Sequence, residues 1–158
     1  GVNFGPVIDA RAVAKIQQHI DNALAHGATL VKGGHLVTPD TLFFQPTLLQ
    51  DVNAAMLVAK EETFGPLAPI FVFDSEEEVL NKVNANRYGL ATAVFTQDIA
   101  RANRLAQQIE VGLCWINSWF LRDLRTPFGG SKQSGIGREG GLHSLEFYTE
   151  LRNVMVKY

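Results

Sequence analysis

Between Ser75 and Asn117 the hydrophobic period of this chain switches repeatedly, and few folds accommodate that. Ser75 and Glu78 form S-x-x-E, a capping box that predicts a helix bearing Val79, Leu80 and Val83. LATAVFT at 90–96 then reads as a strand. Asp98 caps a second helix with Ile99, Ala102, Leu105 and Ile109 on one face, and GLCWIN at 112–117 is the next strand. Apolar strands buried on both faces and separated by helices point to a parallel α/β sheet, because parallel neighbours need a crossover and the helices cover the faces.

The flanks extend this pattern. Val13, Ile16, Ile20 and Leu24 recur at three- and four-residue steps between Asp9, placed to cap a helix, and Gly27, placed to end it. ATLVKGG at 28–34 predicts a short strand. FFQPTLL at 43–49 predicts an edge segment, since Pro46 cannot donate to a central ladder. PLAPIFVF at 66–73 predicts a continuous apolar strand. At the far end, LEFYTELRNVMVKY alternates Leu145, Phe147, Thr149 and Leu151 with polar or amphipathic residues, the period of a strand able to pair with a neighbouring sheet in this subunit or another. Residues 118–141 lack periodicity and place six glycines between Gly129 and Gly141, yet Trp119, Phe120, Leu121 and Phe128 argue for an ordered, functional segment.

With 46% hydrophobic and 19% charged residues, a chain of 158 residues can bury a core. A net charge of −2 gives no reason to expect nucleic acid or an anionic membrane as partner. The longest apolar runs fall far short of the roughly 20 residues that span a bilayer. GVNFGPVIDA carries neither a basic nor an apolar signal region and no Met. Cys114 is the sole cysteine, so an intrachain disulfide is impossible and a reducing cytoplasm is the expected compartment.

Gly135 to Gly140 spell G-x-G-x-x-G, but the preceding PFGGSKQS is no buried strand. The residues after Gly140 are too few for a crossover helix, and no acid stands about 20 residues on to hold a ribose. A turn with glycines at positive-φ positions is the better reading. KEETFGP at 60–66 is more informative: Glu61 and Glu62 precede a rigid Phe-Gly-Pro turn, where a carboxylate could accept from two vicinal hydroxyls and Phe64 could lie against a flat ring. From the residues alone, an exposed acidic turn with a core Phe is the plainer alternative. Cys114, between Leu113 and Trp115 in an apolar strand, is expected to be an inert buried thiol and not a nucleophile, which leaves a small Cys114-dependent reductase as a minor reading. His19 and His26 lack metal-pair spacing, His35 and His143 lack ligand neighbours, and no metal is expected. Arg122 and Arg125 are either solvated loop arginines or guanidinium groups at an aromatic-lined mouth, suited to a substrate carboxylate.

In order, KEETFGP, YGLATAVFT, WINSWFLRDLRTPFGGSKQSGIGRE and FYTELRNVMVKY resemble the C-terminal part of the NAD(P)-dependent aldehyde dehydrogenase superfamily, with GPVID, HGATLVKGG and FFQPTLL agreeing near the front. INSWFLRDLRTPFGGSKQSGIGREGG is further similar to the branch that oxidises 2-hydroxymuconic and aminomuconic semialdehydes. The resemblance implies the parallel-sheet, three-layer half of a catalytic domain over residues 1–145 and an oligomerisation strand over 146–158. It also implies NAD or NADP as cofactor, with NAD preferred, an aldehyde substrate and a homo-oligomer. Glu62 then matches the residue that binds the nicotinamide ribose, Phe64 the aromatic at the nicotinamide, and Arg122 and Phe128 positions lining the aldehyde entrance. Neither the nucleophile's motif nor the general base's motif occurs in the chain, so no catalytic residue is assigned and the chain alone is expected to be inactive. The rival is a non-catalytic assembly module acting through its last strand.

Overall fold

Helix α1, Ala10–Ala25, starts where the Asp9 carboxylate accepts the Ala12 N–H at 2.9 Å, satisfying one of the backbone donors that a helix start leaves open. The computed structural model describes residues 4–158, so the first three residues of GVNFGPVIDA lie outside it. The chain divides into two units, Gly1–Asp74 and Ser75–Tyr158, and α1 belongs to the first. At its end Gly27 takes φ +94°, which lets its N–H reach Leu24 O and the Ala28 N–H reach Ala23 O. The buried stripe is Ile16, His19, Ile20 and Ala23, while Leu24 stays 40% exposed.

In this first unit β1, Thr29–Lys32, pairs antiparallel with β2, Thr47–Gln50, which pairs parallel with β3, Leu67–Pro69. The order β1-β2-β3 makes β2 the central strand and corrects the edge reading of FFQPTLL. Pro46 lies just before the ladder, so its missing N–H costs no bond, and pairing begins with Thr47 N–H donating to Pro66 O at 2.8 Å. Thr47 and Leu49 are buried, and Ala23, Ala28, Val52, Met56 and Val58 pack with Leu49. Ile16, Ile20 and Phe44 form a second cluster, and Leu67 packs against both. A short α2, Leu57–Lys60, is tied to α1 by the Leu57 N–H donating to Asn22 Oδ1 at 2.8 Å. The long strand expected over 66–73 is only β3: Ile70 N–H still donates to Leu49 O, but Asp51 turns away at φ +59° and Phe71 to Phe73 remain exposed.

In the second unit α3, Glu76–Asn84, is capped by Ser75 Oγ, which accepts the Glu78 N–H at 3.1 Å. After β4, Tyr88–Gly89, come β5, Ala91–Val94, helix α4, Ile99–Gln108, and β6, Leu113–Ile116. β5 and β6 are parallel in the register Ala91 to Leu113 through Val94 to Ile116, the predicted strand-helix-strand crossover. Asp98 caps α4 by accepting from Ala100 and Arg101 N–H. Ala102 and Leu105 are buried under that helix while Ile99 is exposed. β7, Ser131–Lys132, pairs antiparallel with β4, so the sheets of the chain are mixed and not wholly parallel.

The strand expected from LEFYTELRNVMVKY is corrected over its first four residues, 145–148. Residues Gly141–Tyr148 form helix α5, with Gly140 at φ +98° entering it and its N–H donating to Ser144 Oγ at 2.8 Å. Alternation in 145–148 is too short to oppose a helical turn started by that contact, and residues 149–158 hold neither helix nor strand. No helix among the described residues is long and apolar enough to cross a membrane.

Candidate functional site

The acidic turn at 61–65 is held down by one face of α1. Lys15 Nζ donates to the Glu62 carbonyl at 2.6 Å, and His19 Nδ1 lies 2.9 Å from Thr63 Oγ1. His19 is 1% exposed, and its Nε2 faces the Glu61 carboxylate at 3.6 Å. A carboxylate only accepts, so the ring N–H belongs on Nε2, and Nδ1 accepts from the Thr63 hydroxyl. Gly65 backs onto Ile16: a Cβ there would meet Ile16 Cδ1 and Cγ1. Gly65→Ala should therefore destabilise the protein by about 1–3 kcal/mol, through overpacking, in urea unfolding.

Clamped this way, the turn displays two groups outward. Phe64 has φ +53° and is 77% exposed, a left-handed backbone that costs an L-residue about 1–2 kcal/mol. The Glu62 carboxylate is exposed, with no protein donor among the described residues, whereas Glu61 is engaged by His19. An exposed, acceptor-only carboxylate two residues from an exposed aromatic has the chemistry to accept from a sugar diol and to flank a flat ring. Phe64 is thus not part of the core of this chain.

Burial pushes the His19 pKa down, the Lys15 charge adds to this, and Glu61 opposes it. The unfolded chain binds the proton more readily, so His19 contributes stability that is full above its ordinary value of 6.5 and is lost as pH falls below it. Denaturant midpoints should decline as pH falls below 6.5, and His19→Phe should flatten that part of the curve. Glu76 and Asp98 have lowered pKa values, Glu76 mainly through Arg104 and then Arg101, and Asp98 through the Arg101 N–H, so their losses come at more acid pH.

In the second unit, Arg122 and Phe128 come together. The Arg122 guanidinium carbon stands 4.5 Å from the Phe128 ring centroid, and Nη2 donates to Glu139 Oε1 at 3.1 Å. The backbones of Phe128 and Glu139 exchange two hydrogen bonds of 2.8 Å, which fixes both side chains on one bridge. Upstream, Trp115, Trp119 and Phe120 cluster, with 5.3 Å between the two Trp rings, and Trp115 Nε1 donates to Leu121 O at 2.8 Å. The residue next to Arg122 is thus anchored to β6. Arg125 is engaged differently: it pairs with Asp123, which lowers the Asp123 pKa, and this leaves Arg122 as the arginine at the aromatic surface.

Two residues of this region escape a reading of the sequence. Glu139 is one, and its only signal there is the GRE that closes the glycine run. Arg138 is the other. Its guanidinium donates to Gly130 O at 2.8 Å and to Gly137 O at 2.7 Å, so the G-x-G-x-x-G segment is folded around its own arginine. Gly135 and Gly137 have positive φ as expected, but a helix, α5, does come after them, contrary to the expectation from sequence. The strand before them is the two-residue antiparallel β7, not the buried parallel strand of a dinucleotide fold. Cys114 is half-buried in β6, and burial raises its thiol pKa, which opposes thiolate chemistry. Among the described residues no three His, Cys, Asp or Glu side chains group as metal ligands.

Residues 1–154 match the family model described as the aldehyde dehydrogenase family. The chain belongs to that family. It is 51% identical over 162 aligned residues to the 2-hydroxymuconic semialdehyde dehydrogenase of Pseudomonas putida, covering 98% of this chain and 33% of that protein. Among solved structures it resembles an aldehyde dehydrogenase from Brucella melitensis biovar abortus 2308, with TM-score 0.90 and 45% identity over 95% of this chain and 31% of that one. It also resembles the NAD+ complex of an aldehyde dehydrogenase from Bacillus cereus, with TM-score 0.87 and 39% identity over 94% of this chain and 30% of that one. The chain thus spans about a third of the length of these aldehyde dehydrogenases.

Proposed function

We propose that these residues are the C-terminal portion of an NAD(P)-dependent aldehyde dehydrogenase that oxidises a carboxylate-bearing semialdehyde to the acid, with NAD the expected cofactor. The observation that carries the reading is the outward pair on the clamped turn: Glu62 to accept from the nicotinamide-ribose hydroxyls and Phe64 to flank the nicotinamide. The bound dinucleotide would supply the hydride acceptor. Arg122, standing over Phe128, would bind the distal carboxylate of the substrate, which agrees with the semialdehyde named for the Pseudomonas putida relative. The half-buried Cys114 with its raised pKa is not proposed as the nucleophile.

On this reading the chain of residues 1–158 alone is inactive, and a cytoplasmic setting suits its single cysteine. The test is to incubate the purified chain, free of any longer enzyme, with NAD and a semialdehyde and follow NADH absorbance. No signal is expected, and NADH formation overturns the proposal.

Exposed Leu145, Phe147, Leu151, Val154 and Val156 favour a second role for the last segment, pairing with another subunit of a homo-oligomer. Deleting residues 148–158 should lower the mass measured by light scattering. An unchanged mass removes that role, and with it the assembly-module alternative.

A further inference from the structure

We infer that His19 is a positioning residue for the cofactor-binding carboxylate, acting through the two neighbours of Glu62; the inference rests on the proposed role of Glu62. One imidazole grips the chain on both sides of that residue, accepting from Thr63 Oγ1 at 2.9 Å and turning its Nε2 to the Glu61 carboxylate at 3.6 Å. Four residues earlier on the same face of α1, Lys15 fixes the intervening Glu62 carbonyl at 2.6 Å, and Ile16 closes the space beside Gly65. These contacts tie the turn 61–65 to α1 at Glu61, Glu62, Thr63 and Gly65, while the Glu62 side chain stays exposed.

A polar side chain that is 1% exposed is unusual on the buried stripe of a helix, where Ile16, Ile20 and Ala23 are its companions. Apolar packing alone would be served by a Phe or Leu. The ring nitrogens face instead a hydroxyl and a carboxylate that flank Glu62, the acid of the turn that His19 does not face. Holding a binding group to within about 0.5 Å depends on such supporting bonds, and a shift of about 1 Å can cost 100-fold.

The experiment uses the complete enzyme that carries this segment. Its readouts are the NAD Kd by equilibrium fluorescence titration, the KM for the aldehyde, and the thermal midpoint. His19→Phe keeps the ring volume and removes both polar contacts, and should raise the NAD Kd about tenfold, the worth of a hydrogen bond or two, with the aldehyde KM unchanged. His19→Asn, whose amide oxygen can still accept from Thr63, should recover part of that loss. Thr63→Val removes the same bond from the other side and serves if His19→Phe does not fold; it too should weaken NAD binding. In a Glu62→Gln background His19→Phe should add less than twofold, because its effect passes through that carboxylate. An undiminished effect there overturns the inference, as does an NAD Kd within twofold of the parent in His19→Phe, or in Thr63→Val where that variant stands in, when Glu62→Gln alone weakens binding. If Glu62→Gln itself leaves the NAD Kd unchanged, the ribose assignment has failed and the positioning role falls with it.

Discussion

Replacing Glu62 by Gln in the complete enzyme is expected to raise the NAD Kd by about 10- to 100-fold. A carboxylate offers acceptors to both hydroxyls of a ribose, whereas the amide offers one oxygen and turns two N–H donors toward the sugar. One charge-assisted hydrogen bond is worth about 1.5–3 kcal/mol, which sets that range. Because the side chain is exposed on the turn and has no protein donor among the described residues, the substitution leaves no buried group unpaired, and the thermal midpoint should barely move. The KM for the aldehyde should stay within about twofold if Glu62 serves the dinucleotide only. A weakened aldehyde KM with an unchanged NAD Kd would reverse the assignment.

The second large effect is expected at Arg122. If the bound substrate desolvates its charge pair with Arg122, Arg122→Ala should lower kcat/KM for carboxylated aldehydes by about 2–4 kcal/mol of transition-state binding. Uncharged aldehydes of similar size should be nearly unaffected, and an equal loss on both classes would remove the specific role. Arg122 is held by Glu139 at 3.1 Å in a pair that is 42% and 63% exposed. Exposed pairs of this kind contribute little, so a substrate carboxylate can compete for the guanidinium. On the proposed reading, the Phe128 ring 4.5 Å from the guanidinium carbon would hold its plane during that exchange. Arg125→Ala is the control: its side chain is 88% exposed and engaged with Asp123, and its loss should leave the preference between substrate classes unchanged.

Much of the fold is legible in local pattern. Asp9, Ser75 and Asp98 read as caps, and each accepts N–H groups two or three residues ahead. Strands β5 and β6 and helix α4 between them come from the change of period, and their parallel pairing comes from the crossover. The positive φ of Gly27, Gly135 and Gly137 is readable because only glycine adopts that backbone at no steric cost. Three misread strand segments share a cause. The proline in FFQPTLL, the apolar run PLAPIFVF and the alternation in LEFYTELR each satisfy a strand rule. Whether a strand forms there, and in which position, depends on a partner strand that no window of a few residues contains.

The candidate site divides in the same way. Glu62, Phe64, Arg122 and Phe128 are named from ordered motifs, since a family preserves residue types in sequence order even when their neighbours in space are distant. The contacts that hold them cannot be read in advance. The Lys15 contact with Glu62 spans 47 residues, the His19 contact with Thr63 spans 44, and the Arg122 contact with Glu139 spans 17. Chain order dictates caps, periods and turn glycines because their hydrogen bonds close within a single turn of backbone. Which helix face grips the acidic turn, and which acid faces Arg122, arises only when segments far apart in sequence meet, where the geometry of burial selects the partner.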